Sequence, residues 1–300
     1  MTTILLIGAR GQVGQELCLR LGVTGSLVAV DRTQLDLTNS EAIRQCIQET
    51  QPEIIVNAAA YTAVDRAESE SEIAHAVNAT APTIMAKEAQ SLGTLLIHLS
   101  TDYVFNGLHC APYVESTPPA PTNVYGVSKL AGENGIRQSC PNHVIIRTAW
   151  VYGTQGKGNF VKTMLRLGAE REKVRVVADQ IGTPTFAGDI ADAIVRLITV
   201  MSPGPSLNEK LLGTYHFTNS GVASWYDFAV AIFEEAKRIG FPLKLDHVVP
   251  ITTAEYPTTA SRPAYSVLSS CKINAALGTI PPHWRQSLVT MLLDLYSQIY

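Results

Sequence analysis

The first residues of the chain constrain its fold most. A short apolar run, Ile4–Ile7, leads directly into Gly8-Ala9-Arg10-Gly11-Gln12-Val13-Gly14, and a helical pattern over Gln12–Leu21 follows. Glycines at this GxxGxxG spacing permit a tight strand-to-helix turn and let the backbone approach a bound group closely. The positive end of the helix then faces that group, which suits a pyrophosphate. The spacing by itself would also serve an ordinary strand–helix turn. Its position between a strand and a helix makes it informative.

The alternation continues. Leu27–Val30, Ile54–Val56, Leu95–Leu99 and Val144–Ile146 are short runs rich in Ile, Leu and Val, as expected of strands buried on both faces of a parallel sheet. Helical patterns over Ser40–Glu49, Pro82–Ser91 and Val124–Arg137 lie between them. The prediction is an α/β fold, a Rossmann-type doubly wound parallel sheet of right-handed βαβ units. The second half is less regular. Pro, Gly and Thr cluster near 181–185, 202–205 and 257–263, and helical patterns appear near Asp189–Val200 and Trp225–Ile239. Tyr215–Thr218 looks like one more strand of the first lobe. The expected organisation is an NAD(P)-binding domain at 1–150 plus roughly 187–220, with a smaller C-terminal substrate-binding lobe at roughly 151–186 and 221–300.

Composition excludes several classes. A net charge of -3 lacks the basic excess of a nucleic-acid binder. Cys18, Cys46, Cys110, Cys140 and Cys271 form no CxxC pair, which argues against a zinc cluster and suits a reducing compartment. The N-terminal apolar run is short and no Lys or Arg precedes it, so no secretory signal is expected. No apolar stretch approaches the ~18 residues of a membrane span. These features predict a cytoplasmic protein.

Two constellations carry chemistry. Asp31 ends the second strand, roughly 20 residues beyond the glycines, where a carboxylate can bond the adenosine ribose of NAD. Arg32 follows, and its guanidinium could instead hold the 2′-phosphate of NADP; either cofactor remains open. Tyr125-Gly126-Val127-Ser128-Lys129 forms YxxxK, which puts Tyr125 and Lys129 on one helix face. A nearby ammonium would favour the phenolate and move the phenol toward acid–base work. Thr101 ends the fourth strand, at the crevice where such sheets bind ligands; a strand-end turn capped by its hydroxyl is the plain alternative.

GxxGxxG, Asn57-Ala58-Ala59-Ala60, Ser100-Thr101 and YxxxK in this order resemble the extended short-chain dehydrogenases/reductases. Asn57–Asp65 (NAAAYTAVD), Ser100–Phe105 (STDYVF), Asn123–Gly126 (NVYG), Lys129–Glu133 (KLAGE), Arg147–Gly153 (RTAWVYG), Gly182–Thr185 (GTPT) and Ala260–Pro263 (ASRP) are similar to the dTDP-4-dehydrorhamnose reductase family. The resemblance implies hydride transfer from NADPH or NADH to C4 of dTDP-4-dehydro-β-L-rhamnose, giving dTDP-L-rhamnose. It implies Tyr125 as proton donor, Lys129 as the group that orients the nicotinamide ribose and lowers the Tyr125 pKa, and Thr101 as an aid at the carbonyl. It puts Gly8, Arg10, Gly11, Gln12, Val13 and Gly14 at the pyrophosphate and Asp31, Asp36 and Leu37 at the adenosine end. Ala60, Tyr61, Thr62 and Leu99 would line the cofactor channel. Thr101, Asp102 and Trp150 would contact the substrate, and Arg262 its diphosphate.

Each has a plainer alternative. Trp150 also suits core packing, Asp65 and Glu68 an exposed helix turn, and Arg262 a surface loop. His75, His98 and His109 show no metal spacing and read as packing or surface residues. Members of the family can carry magnesium at a homodimer interface, held by acidic residues. Glu16 is the one ligand that matches and Gly188-Asp189 offers no carboxylate pair, so no metal ligands are assigned and Mg2+ is not supported by the sequence. The competing functions are another nucleotide-sugar 4-epimerase or dehydratase, or a non-catalytic regulatory subunit on the same fold. Thr101-Asp102-Tyr103 lacks the adjacent Glu expected of a dehydratase, and a non-catalytic relative would be expected to lack Tyr125 or Lys129.

Overall fold

The structure, a computed structural model, describes residues 2–22, 26–156, 158–201 and 207–299; the Pro- and Gly-bearing stretch 202–205 lies outside them. β1 (Thr3–Ile7), α1 (Gln12–Leu21), β2 (Ser26–Val30), α2 (Ser40–Thr50) and β3 (Ile54–Asn57) follow the sequence periodicities. Two short helices, α3 (Val64–Ala67) and α4 (Ser71–His75), lead through a π-helical turn at Ala76–Thr80 into α5 (Ala81–Leu92). β4 (Leu95–Thr101), α6 (Val124–Ser139) and β5 (His143–Thr148) come next. Beyond them lie β6 (Val151–Tyr152), α7 (Phe160–Glu170), β7 (Lys173–Val177), β8 (Ile181–Gly182), β9 (Thr185–Phe186) and α8 (Ala187–Met201). The chain ends with β10 (Gly213–His216), β11 (Ala223–Ser224), α9 (Trp225–Ile239), β12 (His247–Ile251), α10 (Cys271–Leu277) and α11 (Trp284–Ile299).

One six-stranded sheet has the order β10-β5-β4-β3-β1-β2, with every neighbouring pair parallel. The strand expected at Tyr215–Thr218 is present as β10, starting two residues earlier. The chain moves outward from β1 to β2, then returns to place β3 on the other side of β1. That reversal opens a crevice beyond the carboxyl ends of β1 and β3, the place where open α/β sheets take their ligands.

Strand parity divides the core. Successive side chains leave a strand on opposite faces. Ile4, Leu6, Val56, Leu95 and Ile97 pack with α1 and α8, whereas Leu5, Ile7, Ile55, Leu96 and Ile145 pack with α2, α5 and α6. Each such side chain, fully buried, contributes about 1.5–3 kcal/mol. The same parity sends His98 and Ser100 of β4 and Arg147 of β5 toward α6. A third cluster joins Tyr152, Val161, Phe228, Ile232, Trp284 and Leu288, drawing α7, α9 and α11 together. Among the described residues no helix is long and apolar enough to cross a membrane.

Candidate active site

The glycine turn is built for close approach. Gly8 has φ +92°, and a Cβ there would lie 2.7 Å from the Ala59 nitrogen. A Cβ on Gly14 would lie 2.1 Å from the Gly8 oxygen. Neither position accepts a side chain without moving backbone. Gly11 caps α1 in extended conformation with no side-chain hydrogen bond, so the first amides of the helix face the crevice without a side-chain partner. Gln12 leaves the loop to meet the segment around β6 and the start of α7: its Oε1 accepts from Asn159 at 2.8 Å, and its Nε2 points to the Val151 carbonyl at 3.4 Å.

At the end of β2, Asp31 accepts the Thr33 hydroxyl and amide at 2.6 and 2.7 Å, and these bonds hold its carboxyl below the usual range. The Arg10 guanidinium lies 2.6 Å from it. Arg10, whose backbone is part of the glycine turn, therefore sends its charge to the end of β2. Arg32 is exposed beside it. Asp36 turns back to cap Thr38. Leu37 was expected at the adenosine end; its side chain is buried in the α2 layer of the core.

The segment after β3 is stapled from both sides. Asn57 accepts the Ala59 amide at 3.1 Å. Asn78, in the π-helical turn, accepts the Tyr61 amide at 2.8 Å and donates to the Tyr61 carbonyl and to Ser128 of α6. Ala60 and Tyr61 are half-buried and Thr62 is exposed. π-turns of this kind recur at functional sites.

Thr101, Tyr125, Lys129 and Asp102 meet at the carboxyl end of β4, all buried. Thr101 caps the turn over Asp102–Val104 through the Tyr103 amide and donates to Asp102 Oδ1 at 3.0 Å. Burial pushes Tyr125 up to about 12, with the Thr101 hydroxyl pulling it down and the Asp102 charge adding to the rise. Lys129 Nζ donates to the Leu99 carbonyl at 2.7 Å and lies 3.2 Å from His98 Nε2. Burial brings Lys129 itself down to about 8. Asp102 is raised to about 6, also by burial. Its Oδ2 makes no hydrogen bond of normal geometry among the described residues, although the Ser266 hydroxyl is close enough to favour the charged carboxylate.

Trp150, between β5 and β6, has φ +48°, a conformation rare for a bulky residue and frequent at functional sites. Its indole stacks on Trp225, with centroids 3.5 Å apart and planes within 6°. Arg262 is bonded to Asp65 at 2.7 Å. Asp65 also accepts the Ala260 amide, so it is a latch onto the C-terminal loop and not a bare helix turn. Glu68 likewise accepts the Val124 amide and caps α6.

A family model for the RmlD substrate binding domain matches residues 1–297. The dTDP-4-dehydrorhamnose reductase of Escherichia coli strain K12 is 43% identical over 298 residues, spanning 98% of each chain. The chain belongs to the dTDP-4-dehydrorhamnose reductase family. The Burkholderia thailandensis dTDP-4-dehydrorhamnose reductase is 41% identical over 297 residues, covering 98% of this chain and 99% of that one. A crystal structure of the Bacillus anthracis dTDP-4-dehydrorhamnose reductase in complex with NADP matches with a TM-score of 0.89 and 39% identity, over 98% of this chain and 100% of that one. A UDP-glucose 4-epimerase from Thermus thermophilus, 19% identical with a TM-score of 0.80, shares the fold.

For this member of the dTDP-4-dehydrorhamnose reductase family, the glycine turn, the side-chain-free start of α1 and the Arg10–Asp31–Arg32 corner fit a dinucleotide. Glu16 is paired with Arg20 at 2.7 Å, which also grips Asp192. Among the described residues no His, Cys, Asp or Glu cluster has metal-binding geometry. Sequence reasoning missed Asn78, Trp225 and the contact of His98 with Lys129. Strand parity could have found the last: His98 shares its face with Leu96, beneath α6.

Proposed function

We propose that this chain reduces the C4 keto group of dTDP-4-dehydro-β-L-rhamnose to give dTDP-L-rhamnose, with NADPH as reductant. The observation that carries this is the buried meeting of Tyr125, Thr101 and Lys129 beside the glycine turn, in a chain matched along its length by reductases of that name. NADPH, when bound, supplies the hydride to C4. Tyr125, at about 12, keeps its proton across the neutral range and gives it to the C4 oxygen as that oxygen becomes negative. Thr101 holds the same oxygen from the other side. Lys129 orients the nicotinamide ribose, and Leu99 fixes Lys129 through its carbonyl. Gly8, Gly11, Gln12, Val13 and Gly14 cradle the pyrophosphate at the α1 N-terminus. Arg10 and Arg32 flank Asp31 with positive charge, which favours a 2′-phosphate and hence NADPH over NADH.

Residues 1–150 plus 187–220 form the cofactor-binding part in this proposal, and 151–186 and 221–300 the substrate lobe. Asp102 takes a sugar hydroxyl, Trp150 packs along the sugar nucleotide, and Arg262 turns from Asp65 to the diphosphate. All five cysteines are free, which goes with a reducing, cytoplasmic setting. The homodimer implied by the family is checked by sedimentation equilibrium.

The deciding assay follows NADPH absorbance while dTDP-4-dehydrorhamnose is generated in the cuvette. Stoichiometric oxidation with formation of dTDP-rhamnose is expected. Cofactor binding without oxidation of NADPH or NADH would sink the proposal and point to an epimerase or a non-catalytic subunit. Gly14→Ala is expected to weaken NADPH binding at least about tenfold, some 1.4 kcal/mol, in a fluorescence titration. Unchanged affinity would mean the pyrophosphate lies elsewhere. Arg262→Ala should raise KM for the sugar nucleotide by roughly tenfold or more, as loss of a charge-assisted bond of about 1.5–3 kcal/mol would, with KM for NADPH unmoved. An equal rise in both constants would remove Arg262 from the diphosphate.

A further inference from the structure

Trp150 stands between two walls, and they decide which part of its indole can meet a ligand. Its backbone is pinned at φ +48°, where its carbonyl accepts the Thr185 amide at 3.2 Å as β6 pairs with β9. One wall is Trp225, with ring centroids 3.5 Å apart and planes within 6°. At that spacing the rings are in van der Waals contact and nothing fits between them. The other wall is Gly182. A Cβ there would lie 2.5 Å from Trp150 Cε2, 2.7 Å from Cζ2 and 2.7 Å from Nε1. Cε2 sits between those two neighbours on the rim and is set back from both. A contact in the ring plane at this range would meet Cζ2 and Nε1 before Cε2. The order is the reverse, so Gly182 lies over a face of the ring, the face that Trp225 leaves open.

Both walls are fixed. Trp225 is the first residue of α9, whose start is held by the Ser224–Asp227 capping box, and Phe160 packs on it with centroids 4.6 Å apart. Gly182 pairs with Ala223 across β8 and β11, so one small sheet carries both walls. With its faces covered, the indole offers its rim. The rim holds one polar group, Nε1–H, which only donates. Among the described residues nothing accepts from it, and it is not sealed off as the Trp284 indole N–H is; Trp150 is half-exposed. The site is close by. Thr148, two residues before Trp150, pairs with Thr101 across β5 and β4. Ile181, beside Gly182, bonds the backbone of Ala264 and Ser266, and Ser266 flanks Asp102.

We propose that Trp225 and Gly182 clamp Trp150 edge-on to the substrate, so that its Nε1–H donates to an oxygen of the deoxysugar. The proposal rests on the reductase function above and deepens it: Trp225 and Gly182 are positioning residues that act through Trp150. A clamped indole has little rotamer freedom left to lose when a ligand binds, so its one hydrogen bond reaches affinity undiminished. The clamp also makes the contact directional. The acceptor oxygen must lie near the ring plane, in line with the N–H, and the sugar meets the rim instead of stacking on the ring. An indole without Trp225 is free to swing away from that line.

Trp225→Leu removes one wall. It should raise Kd for dTDP-L-rhamnose about tenfold, roughly the loss of one hydrogen bond, with Kd for dTDP and for NADPH unmoved. Trp225→Phe keeps a ring against Trp150 and should recover most of the loss. A folded Trp225→Leu protein that binds like the wild type overturns the proposal, and so does a Trp225→Phe protein as weak as Trp225→Leu. Loss of a large aromatic ring can also unsettle folding, so a second measurement uses the unaltered protein. Isotope-labelled tryptophan gives a proton–nitrogen spectrum of the 3 indoles, with Trp150 assigned by its loss in Trp150→Phe. The Trp150 N–H signal should shift downfield and gain protection from solvent exchange when dTDP-L-rhamnose is added, and stay in place when dTDP is added. A signal unmoved by saturating dTDP-L-rhamnose overturns the proposal. A signal moved alike by dTDP puts the N–H on the diphosphate and overturns its assignment to the sugar. Failure of the reductase function would look different: the wild type would not bind dTDP-L-rhamnose at all.

Discussion

Tyr125→Phe is expected to lower kcat by roughly 10²–10⁴-fold, the usual contribution of a positioned acid, while NADPH affinity is nearly unchanged. The phenol is buried at the carboxyl end of β4 with Thr101 as its hydroxyl neighbour. Phenylalanine keeps the ring and its edge contact with Tyr103, whose centroid lies 5.4 Å away, and removes only the hydroxyl. Single-turnover reduction paired with a cofactor fluorescence titration separates the two effects. Normal turnover in the variant would remove Tyr125 as the acid, and a parallel collapse of NADPH binding would make it a cofactor ligand instead.

Arg147→Met should cost about 3–5 kcal/mol of stability, as removal of one partner of a buried ion pair does. For a chain of this size that lowers Tm on the order of 10 °C. Arg147 is 1% exposed and meets both oxygens of Glu133, at 2.9 and 2.7 Å. Burial alone would raise Glu133; Arg147, with Ser100 and Arg137 behind it, pulls the carboxyl below its ordinary value. In the wild type this carboxylate contributes stability above the unfolded pKa, and the contribution fades as pH falls through the lower folded one. Without Arg147 burial pushes the carboxyl upward, so the loss should be largest near neutral pH and shrink on acidification. Adding Glu133→Gln should recover much of it. A loss under about 1 kcal/mol in urea titration would mean that Arg137 and Ser100 suffice for Glu133.

β1, β3, β4 and β5 were legible because they are buried on both faces, so their apolar runs need no partner to be recognised; β2, at the sheet edge, kept an apolar run although it is half exposed. α1 and α9 match their expected spans, Gln12–Leu21 and Trp225–Ile239, to the residue. The glycine turn and the Tyr125–Lys129 spacing were legible because each is local, set within one turn or one helix face. The pairing that decides the electrostatics is not local. His98 meets Lys129 only because β4 presents even-numbered residues to α6, and Arg147 meets Glu133 because β5 presents odd-numbered ones. Arg262 finds Asp65 across 197 positions, a partner that no spacing rule contains. Leu37, put at the adenosine end by the family resemblance, has its side chain in the core, so only its backbone is left to face a ligand there. α11 went unseen because its first turn carries no acidic residue and its last no basic one, so the usual end signals are missing.

The Gln12–Asn159 bond has a thermodynamic consequence. Gln12 is the first residue of the helix that opens at the glycine turn, and Asn159 caps α7. Any coupling that this bond transmits between a ligand at the glycine turn and one held beside α7 is reciprocal: the factor by which the first ligand changes the affinity of the second equals the factor by which the second changes that of the first.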